Sequence, residues 1–255
     1  MMFNDYTKVC IRSVIAAGEL IEKYKDTKLR VTSKESHRDI VTQLDLAAEK
    51  LIIDEINDVF SNQNFIAEES GIQKNNKTSS YWIIDPLDGT TNLVHGLPMY
   101  GVSVAYCENG KIVSGAIYLP SSKDLYFAEF SKGAYKNYSR LKSGQENLEQ
   151  GLAIITLPGK ISSMQKSISV HEEIREINEK SRGILRLGSS VYALALAAEG
   201  KIGSIYGYEA QPWDVSAGLL LNFEAGNNVS IDVTQFECVK SDYQINVQKT
   251  QKKKL

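Results

Sequence analysis

Cysteine is scarce in this chain: Cys10, Cys107 and Cys238 are widely separated among 255 residues. An odd, dispersed set offers neither a disulfide framework nor a close metal-ligand spacing, so structural thiols in a reduced, cytoplasmic protein are expected. Net charge is nearly absent as well. Lys and Arg number 29 against 31 Asp and Glu, which leaves −2. That balance supplies no broad positive field for nucleic acid or a membrane surface. The block Lys252-Lys253-Lys254 reads as a solvated tail. No apolar run approaches the ~20 residues that span a bilayer. Met1 to Asp5 places no basic region before an apolar stretch, so a secretory leader is not expected.

What is present is an ordinary globular composition, 42% hydrophobic and 24% charged. It suits one large domain or two fused subdomains. Tyr6, Val9, Cys10, Val14, Ala17, Ile21 and Tyr24 recur at helical spacing and predict a long amphipathic first helix. A second helix is expected over 43–60, with Ala48, Leu51, Ile52, Ile56 and Val59 on its buried side. The polar stretch from Thr32 to Arg38 should turn at the surface between them. Phe65 to Ala67 and Tyr81 to Ile84 read as strands. A β meander is expected from Tyr100 to Tyr135, with a hairpin at Asn109-Gly110. The polar stretch from Tyr138 to Gly151 marks a boundary between subdomains of about 1–145 and 150–255. Beyond it, strands are expected at 153–155, 184–185 and 202–206. Helices over 188–199 and 213–225 should be closed by Gly200 and Gly226. The alternation predicts a layered α/β architecture with antiparallel hairpins.

Four acidic clusters stand at element ends: Asp39 with Asp45, Glu68 with Glu69, Asp85 with Asp88, and Asp214. Most have two readings. Asp45 completes a capping box after Thr42 or serves a site. Glu68-Glu69 is solvated loop charge or a ligand pair. Asp214 is a first-turn acid favoured by the helix dipole or another ligand. Asp85 is different, because it follows four bulky residues in a core strand. A carboxylate buried there needs a cation or a strong partner. The turn after it, Asp88-Gly89-Thr90-Thr91-Asn92, adds backbone amides suited to phosphate. Carboxylates that hold Mg²⁺ beside phosphate-binding amides are the parts of a metal-assisted phosphate chemistry.

The segments Asp39 to Asp45, Ala67-Glu68-Glu69-Ser70, Trp82 to Asn92 and Trp213 to Gly218 resemble, in order and spacing, the inositol monophosphatase family. That family sits in a larger group of lithium-sensitive, Mg²⁺-dependent sugar, inositol and nucleotide phosphatases. The resemblance runs from the first helix to about Val233 and implies an α-β-α-β-α sandwich. It implies a first Mg²⁺ on Glu68, Asp85 and the Leu87 carbonyl. A second falls on Asp85, Asp88 and Asp214, with Glu69 reaching a metal through water, and two or three ions in all. Thr90 paired with Asp45 is implied to orient and deprotonate the attacking water, and the Gly89 and Thr90 amides to hold the phosphate. Lys34 matches a lysine of a loop that covers the site. Gly188, Ser189 and Ser190 match positions that meet substrate hydroxyls, although an N-cap with a tight turn explains them equally. A homodimer is implied, and the partner is a small phosphate ester.

The chain also departs from the pattern. A glutamate that binds inositol hydroxyls usually stands seven positions before Asp214, where this chain has Gly207. Glu209 lies nearby but out of register. The lost acceptor leaves 3′-phosphoadenosine nucleotides, fructose 1,6-bisphosphate and histidinol phosphate beside inositol monophosphate as substrates. Tyr192, Tyr206 and Tyr208 are candidates for a nucleotide site. The lysine-rich segment from Asp242 to Leu255 suggests reduced final elements. His95, beside Gly96 and Pro98, reads as structural. A regulatory protein that keeps the fold is the alternative of another class.

Overall fold

The computed structural model describes residues 2–27, 29–33, 40–142 and 151–247. Five layers stack in the order helix, sheet, helix, sheet, helix. The outer helices α1 (Asp5–Tyr24) and α2 (Gln43–Asn57) cover one face of an eight-stranded sheet. In α1 the Asn4 side chain caps the Thr7 amide, and Val9, Cys10, Val14, Ala17 and Ile21 are buried as their spacing requires. Helix α2 ends at Asn57, so Val59 falls beyond its last turn and is 46% exposed. Short strands β1 (Val31–Ser33) and β2 (Ile40–Thr42) pair antiparallel before α2. Thr32 therefore lies in a strand rather than a turn, while Lys34 and Asp39 lie outside the described residues.

The large sheet contains β3 (Phe65–Ala67), β4 (Gly71–Gln73), β5 (Tyr81–Asp88), β6 (Gly101–Glu108), β7 (Lys111–Leu119), β8 (Asp124–Glu129), β9 (Gly133–Lys136) and β10 (Ser139–Arg140). Its order is β10-β9-β8-β7-β6-β5-β3-β4, with β3 parallel to β5. Both faces are covered, so alternate residues enter different cores. Trp82 and Ile84 face α1 and α2, while Ile83 faces the opposite core. The β6–β7 turn has Asn109 and Gly110 at φ 50° and 82°, the paired left-handed geometry that the Asn-Gly sequence favours.

The second sheet contains β11 (Ala153–Thr156), β12 (Ile184–Leu185), β13 (Ser204–Ala210), β14 (Asn228–Val229) and β15 (Ser241–Asn246), in the order β12-β11-β13-β15-β14. Helices α5 (Ser190–Ala198) and α6 (Pro212–Ala225) lie between the two sheets in one continuous core. Gly226, at φ 94°, closes α6 as its sequence position predicts. Helix α4 (Met164–Lys180) covers the outer face of the second sheet through Val170, Ile174 and Ile177. The fold therefore has the expected layers, and the start of the lysine-rich C-terminal segment still supplies a strand. Residues 241–246 form β15, which pairs with both β13 and β14. Cys107 and Cys238 bring their thiols together. Among the described residues no helix is long and apolar enough to cross a membrane.

Helix α6 meets β7 backbone to backbone, and a methyl built on Gly115 would lie 2.9 Å from the Ala217 Cα. Backbone cannot yield there as a flexible side chain would. Gly115→Val should destabilise the protein by about 1–3 kcal/mol through overpacking. Thermal unfolding checks this, and an unchanged Tm would contradict the close approach.

Candidate active site

The site forms where β5 leaves the large sheet. Opposite β6, Asp85 pairs with Ser103 and Asp88 with Gly101, so β5 carries an extra residue between them. The bulge, with Pro86 inside it, ends regular pairing and turns the strand's end. Asp85 is 1% exposed. Its Oδ1 accepts the Leu87 amide at 3.1 Å. Parallel pairing of Ala67 with Ile84 brings the next residue, Glu68, alongside Asp85. The Glu68 amide donates to the Ile84 carbonyl at 3.1 Å, and its side chain is hydrogen-bonded to Asp85. Burial pushes the Asp85 pKa well up, and Glu68, Asp88 and Asp214 push it further in the same direction. Asp214 is raised by burial first, then by Asp88 and Glu68.

Asp88 is held by the opening of α5. Its Oδ2 accepts the Ser189 hydroxyl and the Val191 amide, both at 2.6 Å. The Ser190 and Gly89 amides contribute as well, yet burial outweighs them and raises its pKa to about 6. Ser189 is thus both the N-cap of α5, accepting the Tyr192 amide at 3.0 Å, and a support for Asp88. Gly89 has φ 92°, and a methyl on it would lie 2.8 Å from the Met99 carbonyl oxygen. Only glycine fits that turn. Asn92 fastens it by donating to the Met99 and Leu187 carbonyls at 2.6 and 2.8 Å. Gly188, at φ 74°, lies against the same Asn92 side chain.

Asp45 completes the capping box expected from the sequence and also reaches Thr90. Its Oδ2 accepts the Thr42 amide at 2.8 Å, the reciprocal half of a capping box. Its Oδ1 lies 2.7 Å from the Thr90 hydroxyl, in the short helix α3 (Thr90–Val94). That hydroxyl is also 3.0 Å from the Leu87 carbonyl oxygen. One hydroxyl carries one proton, and the carboxylate is the stronger acceptor.

The sequence reading missed Glu49. It sits one helical turn after Asp45, is 4% exposed, and accepts the Glu69 amide at 2.9 Å. Its i+4 spacing from Asp45 was the available signal. Glu49 anchors the turn that carries Glu68 and Glu69.

Asp85, Glu68, Asp88 and Asp214 therefore gather, and the Leu87 carbonyl lies against the hydroxyl of Thr90, which is paired with Asp45. The donors are hard oxygens, and the like charges on Asp85 call for a cation. Among the described residues no three acidic, His or Cys side chains close on one point tightly enough to ligate an ion alone. The set fits Mg²⁺, which takes one or two carboxylates and keeps waters and phosphate oxygens. Glu209 is engaged elsewhere. Its carboxylate accepts the Ser162 amide at 3.0 Å and lies 3.4 Å from Lys166 and 3.5 Å from Lys240. Tyr206 and Tyr208 belong to the core beneath α4, and Tyr192 packs in the central core. His95 is exposed at the end of α3.

A five-layered α/β fold with an oxygen-donor cluster at a bulged strand end defines a hydrolase class that acts on phosphomonoesters. The chain belongs to the inositol monophosphatase family, whose model matches residues 3–252. It is 34% identical to the fructose-1,6-bisphosphatase/inositol-1-monophosphatase of Thermotoga maritima, covering 89% of this chain and 83% of that protein. It is 33% identical to the Nus factor SuhB of Escherichia coli K12, over 87% and 83% of the two chains. The crystal structure of the extragenic suppressor protein suhB from Bartonella henselae superposes with TM-score 0.84 at 31% identity, covering 94% and 92%.

Replacing Glu49 by Ala leaves the Glu69 amide without its acceptor. The expected loss is about 1–3 kcal/mol of stability, with a higher Mg²⁺ concentration needed for half-maximal activity. Tm and a Mg²⁺ titration test this together. A lowered Tm with unchanged Mg²⁺ demand would confine Glu49 to folding.

Proposed function

We propose that the chain is a Mg²⁺-dependent phosphomonoesterase acting on a small phosphorylated polyol, with inositol monophosphate as the leading substrate. The observation that supports this most is Asp85, buried among three like charges in a family of phosphatases. Glu68, Asp85, Asp88, Asp214 and the Leu87 carbonyl would hold the ions, two or three in number, and Glu69 would reach one through water. Bound Mg²⁺ supplies Lewis acidity and lowers the pKa of water near it.

The chain's own residues do the rest. Thr90 donates its proton to Asp45, so its oxygen is left to accept one from the attacking water. As the water's proton reaches the Thr90 oxygen, the hydroxyl's own proton passes to the Asp45 carboxylate. The amides opening α3 lack intrahelical acceptors and suit the phosphate as its charge redistributes. Water attacks in line, without a covalent phosphoenzyme. Lys34 is assigned to cover the site, although it lies outside the described residues. Gly188, Ser189 and Ser190 are assigned to the substrate side, with Ser189 acting mainly through Asp88. Subdomains 1–145 and 150–255, a homodimer and a cytoplasmic location complete the reading.

Asp85→Asn should lower kcat by roughly 10³-fold or more, since Lewis-acid stabilisation is worth several kcal/mol. Mg²⁺ should raise the Tm of the unaltered protein and leave that of Asp85→Asn unmoved. The metal-free variant should be at least as stable, because a neutral amide escapes the repulsion. Near-normal turnover in the variant would sink the metal assignment.

Lithium at millimolar concentration should inhibit turnover, in line with the family resemblance. Unchanged rates across a lithium titration would exclude the usual arrangement of ions. A second reading, a regulatory protein that keeps the fold, has one observation behind it: the Escherichia coli relative is named a Nus factor. A stoichiometric macromolecular partner with no turnover on a panel of phosphoesters would favour it.

A further inference from the structure

Tyr243 occupies the space that a side chain at position 207 would take. Strands β11, β13 and β15 are neighbours, and Thr156, Gly207 and Tyr243 form one row across them. Residues in such a row point to the same face. Two residues before or after them, Ile154, Ile205 and Ile245 enter the core that contains α5 and α6. The row therefore faces the helices whose first turns carry Ser190 and Asp214. A methyl built on Gly207 would lie 1.9 Å from Cε1 of Tyr243, so the ring lies over the bare backbone of β13. Its hydroxyl reaches Thr156 Oγ1, on the strand beyond, at 3.2 Å. The Ser190 side chain is also within its hydrogen-bonding reach, and the Asp214 and Asp88 charges act on it. Thr156 and Ser190 are half-buried, whereas Tyr243 is 4% exposed. Burial raises the phenol's pKa and keeps it a neutral hydroxyl.

We propose that Tyr243, spanning Gly207 to join Thr156 and Ser190, forms the wall that recognises the alcohol end of the substrate as a polyol. The inference rests on the phosphatase reading and deepens it. Each of the three hydroxyls can donate and accept, as can the hydroxyls of a polyol. A carboxylate in the same place could only accept. A wall of this kind favours an alcohol whose hydroxyls can join the hydrogen bonds that Tyr243, Thr156 and Ser190 already share, over one that offers it only apolar surface. It also explains why the missing glutamate leaves no hole: the space at position 207 is filled from the opposite strand.

Tyr243→Phe keeps the ring and removes only the hydroxyl. The kcat/KM for inositol monophosphate should fall roughly tenfold, mostly through KM, in line with the loss of one hydrogen bond. The kcat/KM for p-nitrophenyl phosphate, which offers no alcohol hydroxyls, should change less than about twofold on the same scale. Equal losses on both esters, or none on either, would overturn the proposal. The interlock has its own test. Gly207→Ala should lower the Tm, and Tyr243→Leu in the same chain should recover part of the loss. A Gly207→Ala protein of unchanged Tm would also overturn it. If the unaltered protein hydrolyses no ester, the phosphatase reading fails instead. Calorimetric affinity for inositol monophosphate then replaces kcat/KM, and equal affinities of the unaltered and Tyr243→Phe proteins would reject the wall.

Discussion

Repulsion among buried carboxylates is the constraint around which this structure is arranged. Asp85 lies in the interior with Glu68, Asp88 and Asp214 close enough to oppose its ionisation. A fold that merely sought stability would replace such a cluster with apolar side chains. The surrounding backbone instead holds it in place. The parallel pairing of β3 with β5 sets Glu68 beside Asp85, and the bulge in β5 separates Asp85 from Asp88. The arrangement is tolerable because the starts of α2, α3, α5 and α6 are gathered around it. Helix N-termini carry partial positive charge, and in α5 the first amides donate directly to Asp88. Partial charges and amides reduce the repulsion without occupying the place of a cation, as a lysine would.

Economy follows from this arrangement, since the side chains that cap the helices also make the contacts around the acidic cluster. Asp45 closes the capping box of α2 with one oxygen and meets Thr90 with the other. Ser189 caps α5 and steadies Asp88 with the same hydroxyl oxygen. Asp214 accepts the Gln211 amide at 3.0 Å within the first turn of α6 while facing the cluster. A capping role and a place beside the cluster are therefore compatible at these positions. A cap fixes a carboxylate's rotamer, and a fixed rotamer is what a preorganised site needs.

This shared use explains what could be read from the sequence. Asp85, Asp88 and Gly89 were legible because their chemistry is local: an apolar strand, a carboxylate and a glycine turn lie within a few residues. Helices α1 and α6 were legible from apolar period and a closing glycine. Helix α4 was missed because it buries one narrow stripe, Val170, Ile174 and Ile177, while Met164 and Ile168 are exposed. Strand β15 was hidden by its charged neighbours, although Tyr243, Ile245 and Val247 alternate as a half-buried strand should. Strand β13 begins at Ser204, later than its apolar residues suggested, and runs to Ala210 because a bulge carries pairing past Gly207. Glu49 escaped notice because its partner is a backbone amide twenty positions away, and its i+4 spacing from Asp45 marks the residue without revealing that partner.

The Gly207–Tyr243 pair shows why a missing motif residue is poorly judged in one dimension. Along the chain, Gly207 is simply a glycine where the family resemblance implies a glutamate. Across the sheet, it is the middle of three adjacent positions, and its bareness admits the ring from β15. The two positions are sterically exclusive, so a side chain added at 207 clashes with the ring and loss of the ring leaves a void. Selectivity at such a place is a property of the row, and a substitution acts through whichever neighbour it admits or expels. Close packing is what makes this binding: interiors leave few voids larger than a water molecule, so removing one side chain from a sheet face invites another to fill the space. Here the filler brings a hydroxyl of its own, and the polarity of the wall survives while its charge does not.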